Sequence, residues 1–238
     1  MSDPDDVAGY ASPPCFLHET DPGYRELAAA ADPRQRADVA RWRKAERQRL
    51  IAERMALASD LRRNHGERIA AALEAAIGEV AGLTISAYWP FRGEPDLRGL
   101  MARIVARGGQ CALPVVVERG RPLVFRRWAP GEPLRRGAWN IPVPAEGAEV
   151  MPDVVIAPVV GFDPACYRLG YGGGFFDRTL AAMPTRPRIV GVGYAQAAIP
   201  TIYPQPHDVP MDVVVTEDGT VSPRPISRRH LVCGGKGR

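Results

Sequence analysis

The spacing of apolar and polar positions divides the chain into a helical early part and a strand-rich remainder. From Asp38 onward, Val39, Trp42, Leu50, Met55, Leu57 and Leu61 recur among nine basic and four acidic residues that lie between Arg41 and Arg68, the pattern of one long amphipathic helix. A second helix is predicted from Glu67 to Val80, with the break between the two near Asn64 and Gly66. Six short apolar runs follow: LTISAY (83–88), CALPVVV (111–117), PLVF (122–125), DVVIAPVV (153–160), IVGVGY (189–194) and DVVVT (212–216). Several are continuously apolar and β-branched, which suits strands of a parallel sheet covered on both faces. Helical patterns near Asp96–Arg107 and Phe175–Ala182 fall between them. The alternation predicts an α/β fold, an open and mostly parallel sheet with helices on both faces. Residues 1–37, rich in Pro, Asp and Ala, predict an N-terminal extension with one short helix near Tyr24–Ala31. Residues 38–220 form the expected single domain, and residues 221–238 a basic C-terminal tail.

Charge narrows the choice of ligand. The tail holds five Lys/Arg and no acid, which leaves 26 bases against 27 acids in residues 1–220. Residues 1–38 are acidic, so residues 39–220 keep a net charge of +4. That mild excess fits a small anion better than a nucleic-acid duplex, and nucleic acid is not an expected partner. An RNA-binding reading would rest on the basic first helix and tail, and the tail has no interleaved stacking aromatics. No apolar run approaches the ~20 residues that span a bilayer. The opening MSDPDD is acidic where a secretory signal is basic, so the expected location is the cytoplasm. The four cysteines form no CxxC pair, which argues against a zinc knuckle. Cys15, His18 and Glu19 lie close together and make an incomplete zinc site at best.

Candidate chemistry concentrates where the run DVVIAPVV leads into GFDPACYRLGYGGGFFDRTLAAM, a strand, a loop and a helix that begins near Phe175. Glycines at 170, 172, 173 and 174 let the backbone reach positive φ and bring successive N–H groups onto phosphate oxygens, at the positive end of the following helix. Arg168 and Arg178 flank the loop, and Asp177 is a hard oxygen ligand suited to a phosphate-bound Mg²⁺. The spacing is neither GxGxxG nor GxxxxGK[ST]. By composition alone the loop reads equally as a flexible surface turn; its place after a buried strand favours a ligand site.

The string RLGYGGGFFDR, Arg168 to Arg178, resembles the RLGYGGGYYDR signature of the 5-formyltetrahydrofolate cyclo-ligase family. Other segments match in order: the helix RKAERQRLIAERMAL (43–57), AYWPFRGEPDL (87–97), WNIPVP (139–144), PDVVIAPVVGFD (152–163) and PHDVPMDVVVTEDG (206–219). The resemblance implies an ATP- and Mg²⁺-dependent enzyme that closes 5-formyltetrahydrofolate to 5,10-methenyltetrahydrofolate. It implies that Arg43, Lys44 and Arg47 meet ATP phosphates together with Arg168, Gly170, Tyr171, Gly172, Gly173, Gly174, Phe175 and Phe176. Glu94 would hold the folate, with Trp89, Trp139, Tyr171 and the loop glycines around it; Arg168 and Glu94 would be catalytic, and Asp177 and Asp208 would ligate the metal. On residue type alone, Trp89 and Trp139 serve equally as core anchors, Glu94 as a cap for the next helix, and Asp208 as a turn residue between Pro206 and Pro210.

The chain also departs from the family pattern. Phe175 and Phe176 stand where the signature has tyrosines, and in the family's opening KxxLR Arg43 takes the lysine position and Glu46 the leucine position. These departures, with the extra N-terminal segment, leave a second reading open, a paralogue that binds folate or another nucleotide-activated substrate without cyclising it.

Overall fold

A computed structural model describes residues 33–223. The predicted short helix at 24–31, the Cys15/His18/Glu19 cluster and nearly all of the basic tail lie outside the described residues. Two helices open the described residues, α1 (Pro33–Ala56) and α2 (Ser59–Ile77). Proline at the first helical position costs nothing there, since its missing N–H would have had no partner in the helix, so α1 starts within the stretch read as an extension. The break between α1 and α2 falls at Leu57–Ala58 and not at Asn64–Gly66. Gly66 stays helical because its turn belongs to a continuous inward face of Ile69, Ala70, Leu73 and Ile77, whose burial outweighs the roughly 1 kcal/mol that a mid-helix glycine costs.

The six predicted strands all form: β1 (Thr84–Ser86), β2 (Gln110–Val115), β3 (Val124–Arg127), β6 (Val154–Pro158), β9 (Arg188–Val192) and β10 (Val213–Thr216). Helices α3 (Arg98–Ala106) and α4 (Phe175–Ala182) also stand where the pattern placed them. Shorter pieces are added: β4 (Leu134–Arg136), β5 (Pro142–Pro144), the hairpin β7 (Gly161–Phe162) and β8 (Arg168–Leu169), and β11 (Gly219–Val221). One seven-stranded sheet runs β11-β10-β9-β6-β1-β2-β3. Its five inner strands are parallel, and β3 and β11 close the edges antiparallel.

Both faces of this sheet are buried. Val154 and Ile156 of β6 point with Ile85, Cys111 and Val190 toward α2 and α3, while Val155 and Ala157 point with Val214 and Ile189 toward Leu180 of α4. The two-residue alternation therefore shows no polar face, as the unbroken apolar runs predicted. A third, smaller cluster seats Leu50 of α1 on Val160, Leu169 and Ile202. No helix among the described residues is long and apolar enough to cross a membrane.

Candidate active site

The chain leaves β1 for β2 on one side, while β6 joins β1 from the other, so the strand order reverses between these two central strands. In open α/β sheets such a reversal opens a crevice at the carboxyl ends of the strands. The segment after β1 carries Glu94, and the segment after β6 carries the β7–β8 hairpin and the glycine loop. Helix α1 lies across both. Its inward face is mostly arginine: Arg43, Arg47, Leu50 and Arg54 recur at spacings of four, three and four residues, and Arg43 and Arg54 are buried.

Arg168, whose side chain is buried, is carried on the hairpin. At its tip Asp163 accepts hydrogen bonds from the amides of Ala165, Tyr167 and Ile202, at 3.1, 3.0 and 3.1 Å. Burial nevertheless pushes the Asp163 carboxyl above its usual range. Arg168 then pairs with Asp177 in the first turn of α4 (2.8 Å), and its guanidinium lies 5.2 Å from the centre of the Phe176 ring. Burial lowers the affinity of Arg168 for its proton, and Asp177 and Asp208 pull it back up. Its Nη1 is buried and meets no protein acceptor among the described residues. A buried guanidinium N–H without an acceptor is costly in the free protein and available to an anion.

Around Arg168 the loop is ringed by further cations. Arg47 donates to the Gly170 carbonyl at 2.7 Å, and burial followed by repulsion from Arg43 lowers its pKa. Gly172 and Gly174 have φ of 92° and 62°, the left-handed region where a side chain is strained. A Cβ on Gly174 would also lie 2.8 Å from an Arg178 nitrogen. Arg178 donates to the Gly173 carbonyl and lies over Phe175, whose other neighbour is Trp139 at 5.5 Å between ring centres. The two phenylalanines thus act through their ring faces, which their tyrosine counterparts share.

Arg43 is tied down by four contacts. It donates to the carbonyls of Ile202 (2.9 Å) and Tyr203 (2.8 Å) and to both carboxylate oxygens of Asp208 (3.2 and 2.5 Å). Asp208 also accepts from the Gln205 amide at 2.6 Å, and the Val209 amide donates to Asp177 at 3.2 Å, so the two aspartates sit on adjoining segments. Among the described residues no three His, Cys, Asp or Glu gather as a metal cluster.

The opposite wall is built on Glu94. Phe91 and Glu94 close a tight turn, with the Glu94 amide donating to the Phe91 carbonyl at 3.1 Å and positive φ at both central residues, Arg92 (47°) and Gly93 (74°). The Glu94 carboxylate is buried and accepts from the Phe91 amide and the Tyr171 hydroxyl, both at 2.9 Å. Burial raises its pKa to about 7, against the opposing pull of Arg54 and these two hydrogen bonds.

The structure therefore brings together Arg43, Arg47, Arg168, the glycine loop, Asp177, Asp208, Glu94 and Tyr171. Lys44 is exposed, one position off the inward face of α1. Trp139 stands at the loop on Phe175, whereas Trp89 packs on Trp128 (5.7 Å), beneath the Arg98 guanidinium and against the core. Sequence reasoning passed over Arg54, although the i, i+4, i+7, i+11 spacing from Arg43 was the signal that placed it on the same face.

Four likenesses to known proteins accompany this geometry. The sequence profile of the 5-formyltetrahydrofolate cyclo-ligase family matches residues 39–217. An Escherichia coli (strain K12) protein named 5-formyltetrahydrofolate cyclo-ligase is 31% identical over 175 residues, 68% of this chain and 93% of that protein. One of the same name from Mycolicibacterium smegmatis is 30% identical over 146 residues, 58% of this chain and 75% of that one. The NMR structure of Aquifex aeolicus 5,10-methenyltetrahydrofolate synthetase aligns with a TM-score of 0.66 at 27% identity, covering 80% of this chain and 98% of that one.

Proposed function

The chain belongs to the 5-formyltetrahydrofolate cyclo-ligase family, and on that premise we propose that it closes 5-formyltetrahydrofolate to 5,10-methenyltetrahydrofolate at the expense of ATP. The observation that supports this reading is the buried Arg168, whose Nη1 has no acceptor among the described residues, beside a glycine loop whose Tyr171 hydroxyl donates to the buried acid Glu94. An amide oxygen is a poor leaving group until it is phosphorylated. The formyl oxygen attacks the γ-phosphorus and ADP departs. The N10 lone pair then adds to the formyl carbon, the N10 proton is lost, and the C–O bond breaks with the oxygen leaving on phosphate. No electron donor or acceptor is needed.

Each wall has its part in this sequence. The glycine amides, the Arg47 and Arg168 guanidiniums and the start of α4 bind and orient the phosphates and neutralise charge as it shifts, the main contribution a protein makes to phosphoryl transfer. Glu94 holds the folate by accepting hydrogen bonds from its N–H groups, with Tyr171 beside it and Trp139 at the rim. Magnesium on nucleotide phosphates needs only one or two protein carboxylates. Asp177, whose side chain is 16% exposed, fits that need, whereas both oxygens of Asp208 are already held by Arg43 and the Gln205 amide; magnesium at Asp177 would supply further charge neutralisation at the phosphates.

The test is direct. Purified protein given Mg-ATP and 5-formyltetrahydrofolate should show rising methenyl absorbance with one ADP per product, and none without ATP. Folate binding without ADP release would replace this reading with the non-cyclising one. The contacts of Phe175 and Phe176 through their rings favour the cyclising reading.

A further inference from the structure

Arg54 has no ligand role in the motifs that carry the family resemblance, yet its guanidinium is the most connected group of the Glu94 wall. It is buried at the end of α1, and each of its three nitrogens donates to a different segment. Nε reaches the Arg92 carbonyl (2.9 Å), Nη1 the Val159 carbonyl (3.3 Å) and Nη2 the Tyr171 hydroxyl (2.5 Å). Those segments are the turn after β1, the exit from β6 and the glycine loop.

Two features make this more than general packing. The turn that presents Glu94 contains a non-glycine residue, Arg92, in the left-handed region, a conformation that persists only where neighbours hold it. The carbonyls of its first three residues are all accounted for: Phe91 accepts from the Glu94 amide, Arg92 from Arg54, and Gly93 from the Tyr194 hydroxyl at 3.1 Å. In addition, the Tyr171 hydroxyl has a single proton. Because Arg54 can only donate, that proton goes to an acceptor, and Glu94 at 2.9 Å is closer than the Phe91 carbonyl at 3.5 Å. The order Arg54 to Tyr171 to Glu94 is thereby fixed.

We propose that Arg54 is a positioning residue which, through the Arg92 carbonyl and the Tyr171 hydroxyl, aims the Glu94 carboxylate at the folate and links it to the glycine loop. The proposal rests on the folate role of Glu94 given above. The groups facing Glu94 are Arg54 from α1, Tyr171 from the glycine loop, and Tyr88 and Tyr194 from the ends of β1 and β9. Across an adjoining cavity of about 530 Å³ stand Arg62 and Glu67 of α2 and Arg103 of α3, with Asp96 after the turn. Arg54 is the cation whose charge pulls the Glu94 pKa down, and the Tyr171 hydroxyl it holds donates to that carboxylate, so its removal should make Glu94 hold its proton to higher pH.

The experiment compares Arg54→Gln, Arg54→Lys and Tyr171→Phe in the full chain. In protein labelled with ¹³C at glutamate carboxyls, the Glu94 resonance is identified by its loss in Glu94→Gln and followed through a pH titration. Arg54→Gln should raise the Glu94 midpoint, and Arg54→Lys, which keeps the charge, should leave it near wild type. Both should raise KM for 5-formyltetrahydrofolate by roughly tenfold with a smaller change in kcat, the size expected for one lost charge-assisted hydrogen bond. In a Tyr171→Phe background, Arg54→Lys should add much less than its effect alone. An unmoved midpoint in Arg54→Gln, or fully multiplicative effects of Arg54→Lys and Tyr171→Phe, overturns the proposal. Should Arg54→Gln not fold, the lysine and phenylalanine variants still decide it. Wild type that turns over no 5-formyltetrahydrofolate sinks the proposed reaction instead, while the titration continues to test Arg54.

Discussion

The two walls of the crevice treat their acids in opposite ways. On the loop side Asp177 and Asp208 touch arginine directly, through Arg168 and Arg43. On the β1 side Glu94 meets Arg54 only by way of the Tyr171 hydroxyl. Direct pairing makes a fixed lattice of alternating charge, and the additional cations Arg47 and Arg178 bias it toward a polyanion. An intervening hydroxyl leaves a buried carboxylate incompletely compensated, so desolvation wins and its pKa rises to about 7. On the proposed reading, the first wall takes the phosphates and the second holds an acid whose protonation is balanced near neutrality. The difference depends on where each arginine stands along α1, since Arg43 and Arg54 are both buried on the same helix face.

The largest effect should come from breaking the lattice. Arg168→Met leaves Asp177, only 16% exposed at its side chain, without its cation. Removing one partner of a buried pair costs about 3–5 kcal/mol, readable as a lower urea midpoint. In the proposed reaction the same guanidinium binds phosphate, so kcat/KM should fall by about 10³-fold, the order seen when a preorganised charge stabiliser is lost. A variant that keeps both stability and turnover would show that the two walls do not differ in the way described.

A smaller effect of distinct shape is expected at Glu94. Its folded pKa of about 7 exceeds the ordinary 4.5, so between these values the folded state binds more protons than the unfolded one. This contribution is fully present below pH 4.5 and is lost as pH rises through 7, amounting to about 3 kcal/mol. Glu94→Gln should flatten that part of the stability curve, measured by urea unfolding at about pH 5 and about pH 8, on either side of the folded midpoint. An unchanged slope would mean that Glu94 is not the incompletely compensated acid of the site.

Legibility in the sequence followed the strength of the local signal. The six strands were readable because burial on both faces leaves unbroken β-branched runs, as in DVVIAPVV (153–160) and DVVVT (212–216), and α3 and α4 because the helices between strands keep a 3.6-residue period. The hairpin β7–β8 and the pair β4–β5 were not, since two or three residues carry no period. Gly66 misled because its cost is local, whereas the burial of Ile69 and Leu73 that holds its helix together is tertiary. The glycine loop was visible as composition, but Arg47, which donates to its Gly170 carbonyl, comes from α1, far earlier in the chain. Arg54 is one of nine basic residues between Arg41 and Arg68, and residue type alone does not single it out. Only the fold turns its face of α1 inward, onto the Tyr171 hydroxyl.

The smallest expected difference separates neighbours on that helix and tests whether direction along α1 is what matters. Lys44 and Arg47 both fall in the segment resembling the family's phosphate-binding helix, but Arg47 points inward to the Gly170 carbonyl and Lys44 is exposed. Arg47→Ala removes a half-buried cation and its loop contact and should raise KM for ATP by roughly tenfold, as for the loss of a hydrogen bond to a charged group. Lys44→Ala should change it by less than about twofold and stability by less than about 0.5 kcal/mol, the range of exposed substitutions. Steady-state kinetics with varied ATP reads both. If Lys44→Ala matches Arg47→Ala, the phosphates reach the outer side of α1, and the inward arginine face is not what defines the nucleotide wall.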